Sequence, residues 1–354
     1  MMDTAKFQEL LNLYEPVKEQ DCRGMNLAGF DLSGQVFDKV DFSGAIFRNA
    51  VLTETLFTQC VFDDADFSDT RFNKGMLSHC SLKNARFDQA SFNEHNIVQS
   101  DMQQTSWHNA KLQSCSLSET NLSRAKLDLE AAEKTTFHDI RLEGADFSES
   151  YLELVIFFQN DLQQSRFENV YFDRVVFTEC KMRGMTFENQ TFHQCPFTRA
   201  DLEAVTFNEC ELVTCNFQGT QLKNSIFSQS DCTNALFIDA DLSRTTFNDC
   251  RLRQSIWMNA LAPNCVVREC DMTEAILHYA NCESATFAKC DLTRADFSFS
   301  NLRQSNFDSV RLHDTLFHGA LVSDAALLRS PGAIAQQPYL AEAQAWSLAN
   351  AIKD

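Results

Sequence analysis

Ala240-Asp241-Leu242-Ser243-Arg244 carries the rule that governs most of this chain. A small residue, an Asp, a large apolar residue and two polar ones form one unit, and the order recurs in Ala145-Asp146-Phe147-Ser148-Glu149 and Ala295-Asp296-Phe297-Ser298-Phe299. Followed outward in both directions, the unit keeps its phase. Its large residue occupies every position ending in 2 or 7 from Leu27 to Leu327, and all 61 of those positions are apolar or Cys. Of the 31 Phe, 27 fall in this class, leaving out Phe7, Phe30, Phe158 and Phe299. Neither the helical period of 3.6 nor the strand period of 2 sustains an apolar residue at every fifth place over such a length. Some other winding of the backbone must produce it.

Two places before each large residue lies a smaller inward class, for example Ala45, Ala65, Ala85, Ala145, Ala200, Ala240 and Ala295, varied by Ser, Thr, Val and Cys. Eleven of the 14 Cys belong to it, Cys232 and Cys282 take large positions, and Cys22 shares their phase just ahead of the first clear unit. Every Cys is thus expected to face inward. Gly34, Gly44, Gly144, Gly184, Gly219 and Gly319 all stand two places after a large residue, where a corner needs permissive backbone. Positions ending in 7 hold 21 Phe out of 31, whereas those ending in 2 hold 6 out of 30 and favour Leu. Phe and Leu thus alternate with a period of ten residues inside the five-residue frame.

The unit resembles the pentapeptide-repeat family, whose motif is often written A(D/N)LXX, and the resemblance covers about 85% of the chain. It implies an all-β solenoid, a right-handed quadrilateral β-helix with four units per coil. The 61 units then make about 15 coils, stacked at about 4.8 Å into a rod on the order of 70 Å long. Open coil ends expose ladder edges, and short helical caps are expected at both. In residues 1–24, Phe7, Leu10, Leu11, Tyr14 and Val17 fall on one helical face that ends near Pro16. Residues 25–328 form the solenoid. After the breaker Ser330-Pro331-Gly332, residues 329–354 form an Ala-rich helix that either caps the last coil or joins two subunits into a homodimer through Trp346 and Leu348.

Acidic residues outnumber basic ones 49 to 30, for a net charge of −19, which argues against a nucleic-acid-binding face. No apolar run approaches the roughly 20 residues needed to cross a bilayer, and the start shows no basic region followed by an apolar run, so no membrane association and a cytoplasmic location are expected. Fourteen Cys spread along a chain of this length are expected as reduced, buried small hydrophobes. A straight column such as Cys250, Cys270 and Cys290 does not converge on a tetrahedral zinc, and parallel side chains lack the torsion of a disulfide.

Three places strain the frame without breaking its phase. Glu130 takes a small inward place and Ala132 a large one, so a bulge or short surface excursion is expected there. Ala262-Pro263-Asn264 leaves the core thin, and His95 occupies a small inward place. His313 and His318 are expected on adjacent sides, solvated. Catalysis needs a cleft that gathers an acid, a base or a nucleophile, and a filled solenoid offers none, so no enzyme, no catalytic residue, no metal and no cofactor are expected.

The partner is expected to be another protein. The resemblance implies two roles: a scaffold or adaptor of a bacterial cell, as with members that accompany secretion systems and their effectors, or an acidic DNA mimic that protects DNA gyrase or topoisomerase. Against mimicry, 17 charges over about 70 Å give about one per 4 Å, whereas B-DNA carries about one per 1.7 Å. The adaptor reading is preferred, and the candidate contact residues are Glu130, Glu133 and Lys134 in the irregular segment and Trp346 and Leu348 in the terminal helix.

Overall fold

The computed structural model describes residues 4–13 and 15–350, in two compact units, Met1–Lys181 and Met182–Asp354. Both are parallel β-solenoids whose ladders pair residues twenty places apart: Val36 with Leu56, Phe37 with Phe57 and Asp38 with Thr58 in the first, Thr206 with Ile226 and Phe207 with Phe227 in the second. Twenty residues per coil is four units of five, one to a side.

The local chemistry explains the unit residue by residue. Outward Asp41 accepts hydrogen bonds from the Ser43 amide at 2.9 Å and the Ser43 hydroxyl at 2.5 Å, and Asp241 does the same for Ser243, which is why Asp recurs before the large residue. The next place but one after the large residue is the corner, and it lies in the left-handed region whatever its side chain: Lys39 at φ 55°, Asn49 at 58°, Asp64 at 60°. Non-glycine residues enter this region at a cost of about 1 kcal/mol, so the coil-to-coil ladder must hold them there. At Gly44, φ 66°, the cost vanishes.

Inward Ser, Thr and Cys are more than small. Each hydroxyl or thiol can reach the large residue's carbonyl 23 places earlier, in the neighbouring coil: Thr70 to Phe47 at 2.7 Å, Thr220 to Phe197 at 2.8 Å, Cys215 to Phe192 at 3.1 Å. A buried polar group is thereby satisfied without leaving the core. All fourteen cysteines are buried and unbridged. Removal from water pushes the Cys115 and Cys210 thiols up to about 11, the behaviour of inert packing groups.

In the first unit one side is a nine-stranded parallel sheet running from Val17–Lys18 through Val36–Asp38 to Val176–Thr178. The first helix, α1 (Thr4–Asn12), buries Phe7 and Leu11, with the Phe7 ring 6.2 Å from Phe37 and nearly parallel to it. Val17, expected on that helix, instead pairs with Phe37 and opens the solenoid, and Cys22 is already core. Tyr14 lies outside the described residues. Large positions from Leu27 to Phe177 are buried, and Phe47, Phe67, Phe87 and Trp107 form one file with centroids 4.5–5.1 Å apart.

In the second unit Phe187, Phe207, Phe227 and Phe247 make one file, and Phe197, Phe217 and Phe237 the file opposite. Rings from the two files meet edge to face, Phe217 and Phe227 at 6.1 Å, so the interior is filled across its width. Trp257 fits because Ser255, two places before it, accepts the indole N–H at 2.8 Å and donates to the Leu252 carbonyl. Ala262-Pro263-Asn264 keeps the register of the coil, with Leu261 paired to Asp241 and Asn281. Ala262 is fully buried and Asn264 makes an ordinary corner at φ 57°.

The frame ends differently from its continuation. Phe307, Leu312, Val322 and Leu327 are only half-buried, a 3₁₀ turn spans Leu327–Arg329, and Ala333–Ile334 pairs with Thr315–Leu316 at a spacing of eighteen residues instead of twenty. Gly332 is required at this closure: its φ is 85° and a Cβ would stand 2.1 Å from the Leu312 carbonyl oxygen. The returning segment covers His318, whose Nδ1 accepts the Gln337 amide at 3.2 Å. His318 is therefore buried, a correction to its expected solvation, while His313 is exposed. The second helix, α2 (Pro338–Asn350), forms where expected, and none of its described side chains is buried.

Candidate protein-binding surface

With the interior consumed by packing, chemistry with a partner falls to outward columns, in which side chains twenty residues apart touch. The expected segment lies on such a column in the first unit. The irregularity expected there takes the form of a distorted corner and not of a surface excursion. Leu129 leaves the corner and turns into the core, Glu130 points out to Lys111 at 2.8 Å, and Ala131–Glu133 keeps register with Lys111–Gln113. The distorted corner is bridged by Ser150, whose hydroxyl accepts the Leu129 amide at 3.0 Å and donates to the Leu127 carbonyl at 2.6 Å. Lys134 is an exposed corner at φ 49° and Glu133 is half-buried.

Glu133 stands directly beside Glu153, and Glu153 beside Asp173. On the same side of the coil Tyr151 and Tyr171 lie open to solvent, stacked at 4.9 Å with ring planes 7° apart. Leu154 forms the adjoining corner at φ 53°. Beyond it the next side presents Ile156, 39% exposed, and Phe158, whose ring stacks on His138 at 5.5 Å. Carboxylates border both sides. Asn169 donates to Glu149 and Gln159 to Glu179, while Arg174 lies between Glu153 at 2.5 Å and Asp173 at 2.8 Å.

The structure thus brings Glu130, Glu133 and Lys134 together and sets them against an apolar surface that the five-residue frame does not mark. Its signal was visible in Phe158, one of the four Phe out of phase. Trp346, in the second unit, is 72% exposed on α2, and the Leu348 side chain lies outside the described residues. Among the described residues, no group of three or more His, Cys, Asp or Glu side chains is placed to hold a metal ion, and no helix is long and apolar enough to cross a membrane.

Family models match the chain at several places. The one described as a pentapeptide repeat region matches residues 152–217 and 200–267; that for nine copies of the repeat matches 37–77; that for eight copies matches 96–128, 259–294 and 280–319. No protein of curated function matches. Among solved structures, trypsin-treated QnrB1, a plasmid-mediated fluoroquinolone resistance protein, aligns at 21% identity over 55% of this chain and 95% of its own, with TM-score 0.28. HetL of the cyanobacterium Nostoc sp. strain PCC 7120, involved in heterocyst differentiation regulation, aligns at 17% identity over 92% and 98%, with TM-score 0.21. A thylakoid-lumen protein of Arabidopsis thaliana aligns at 22% over 36% and 69%, with TM-score 0.17. Scores this low carry no inference about function.

Proposed function

Because the chain belongs to the pentapeptide-repeat family, we propose that it is a non-catalytic scaffold or adaptor that binds another protein in the bacterial cytoplasm. One observation supports this most: the inward Phe, Leu and Cys are spent on packing, and what remains is an outer surface whose side chains stand in fixed columns. Such a surface holds several contacts in constant register, which suits docking. Service to a secretion system is one setting for that role.

Charge pairing weighs against DNA mimicry. Arg48 pairs with Asp66, Arg183 with Asp201, Arg251 with Asp231 and Arg311 with Asp291, each ladder neutralising carboxylates that a phosphate-like array would leave bare. The test is crosslinking followed by affinity purification from the native host, with gyrase supercoiling in the presence of a quinolone run alongside. A specific protein recovered in stoichiometric amount supports the adaptor. Protection of gyrase at micromolar protein, with no other partner recovered, would overturn it.

A further inference from the structure

We propose that the surface around Tyr151, Tyr171, Leu154, Ile156 and Phe158 is a docking site for a basic, amphipathic segment of a partner protein. The inference rests on the binding role proposed above and gives it a place and a chemistry.

Leu154 is the first reason. Corners in the left-handed region of the first unit are otherwise filled by glycine or by polar side chains such as Glu149, Gln159 and Asn169; among its described left-handed corners Leu154 alone is apolar. A Leu there bears the backbone cost of the region with none of the local hydrogen bonding by which Asn or Asp offsets it. The chain nevertheless places it at the junction of two sides that each carry exposed apolar rings or branches. The column of Ile156 makes the same point. Two and three coils earlier it holds Ser116 and Asn96, so the solenoid accepts polar residues at this place, and Ile156 and Val176 are not needed for its packing.

Charge selects the occupant. The apolar residues are bordered by Glu133, Glu149, Glu153 and Asp173 on one side and Glu179 on the other, five carboxylates against two cations at the corners beside Leu154: Arg174, held by Glu153 and Asp173, and Lys134 one coil earlier. A second copy would bring its own carboxylates against these, on a chain of net charge −19. Nucleic acid and anionic lipid meet the same repulsion. A segment with alternating apolar and Arg or Lys side chains meets none: its apolar side chains cover Ile156 and Phe158, its cations reach the carboxylates, and an Arg can lie on the open faces of the stacked tyrosines.

Peptides selected from a random display library on the whole protein provide the test, with a Tyr171→Asn, Ile156→Asn protein as comparison. Asn already occupies the column of Ile156 at Asn96, so this protein should fold, and an unchanged thermal midpoint verifies it. Expected are peptides rich in Arg or Lys and in apolar residues, whose affinity falls by about tenfold or more on the comparison protein and weakens with salt. Acidic consensus peptides, undiminished binding to the comparison protein, or binding of polylysine as tight as that of the selected peptides would each overturn the proposal. A host partner captured by the whole chain that binds the comparison protein equally well overturns this surface and leaves the adaptor role standing; a chain that captures no host partner sinks the role itself.

Discussion

His95 and Glu130 are the same misfit met in two ways. Each is a polar residue in a small inward place of the first unit, where neighbours twenty residues away are Cys115 and Ala110 or Ser150. The solenoid swallows His95. Its ring lies buried against Phe72 and Phe92 with both nitrogens unpartnered, and the space comes from Gly75 one coil earlier, where a Cβ would stand 2.9 Å from His95 Cε1. It rejects Glu130, turning it outward, drawing Leu129 into the vacancy and mending the corner through Ser150. Desolvation decides between the outcomes. An imidazole can enter the core neutral, and burial does hold its pKa down to about 3, whereas a carboxylate would have to take up a proton or lose several kcal/mol. The coil tolerates an error in shape by adjusting the next coil and an error in charge only by expelling it.

The largest effect expected from this contrast is at Leu129, which now holds the inward place. Leu129→Asp puts a carboxylate where Glu130 could not stay, with no flanking residue left to replace it, and should cost about 4 kcal/mol or more. Urea unfolding followed by circular dichroism measures it, and a loss below about 1 kcal/mol would break the explanation. Next comes Gly75→Ala. Its Cβ would stand 2.5 Å from the Thr55 carbonyl oxygen as well as against the imidazole, and about 2–3 kcal/mol should be lost. Repeating it in a His95→Ala protein removes the ring and leaves the carbonyl, so the two losses should fail to add by about 1 kcal/mol. Strict additivity would mean that Gly75 and His95 do not share one space.

How much of this could be read beforehand follows from what the five-residue frame encodes. It encodes which side chains face in, so the Phe files, the buried Cys and the inward Thr were legible. It does not encode relations twenty residues apart, so the pairing of Gly75 with His95 and the mending of residue 129 by Ser150 were not. Val17 reads as part of the helix because its spacing from Phe7, ten residues, is close to three helical turns and equal to two pentads. His318 occupies an outward place like His313, and only the eighteen-residue closure that brings Gln337 over it buries it. The apolar surface is half-legible: Phe158 stands out of phase, but Tyr151 and Tyr171 come together only through the coil.

The pH dependence sharpens the His95 half of the contrast. Its pKa is about 3 in the fold, through burial, against 6.5 for the free side chain, so between these values the unfolded chain binds a proton that the folded chain refuses. Stability is whole above pH 6.5 and falls as pH drops, by about 2 kcal/mol at pH 5 from this residue. Carboxylates titrate in the same range, so the measured quantity is the difference between the natural protein and His95→Leu. The natural protein should lose more between pH 7 and pH 5. Parallel losses would show that the imidazole is protonated in place, and the comparison with Glu130 would then lose its basis in charge.

Glu130→Gln should do least. Its carboxylate and the Lys111 ammonium meet at 2.8 Å, but both side chains are more than half exposed, at 54% and 56%, so water screens the pair and its contribution should stay within about 0.5 kcal/mol. The smallness is itself informative. If Glu130 points outward because the core expels it, its partner outside is incidental, and removing the charge should leave Leu129 inside, the corner intact and the urea midpoint nearly unchanged in low or high salt. If the ion pair instead pulled Glu130 out, losing it would release Leu129 and carry a cost well above that of an exposed pair. A salt-sensitive loss of more than about 1 kcal/mol would therefore reverse cause and effect at this corner, making attraction from Lys111 the reason for the turn.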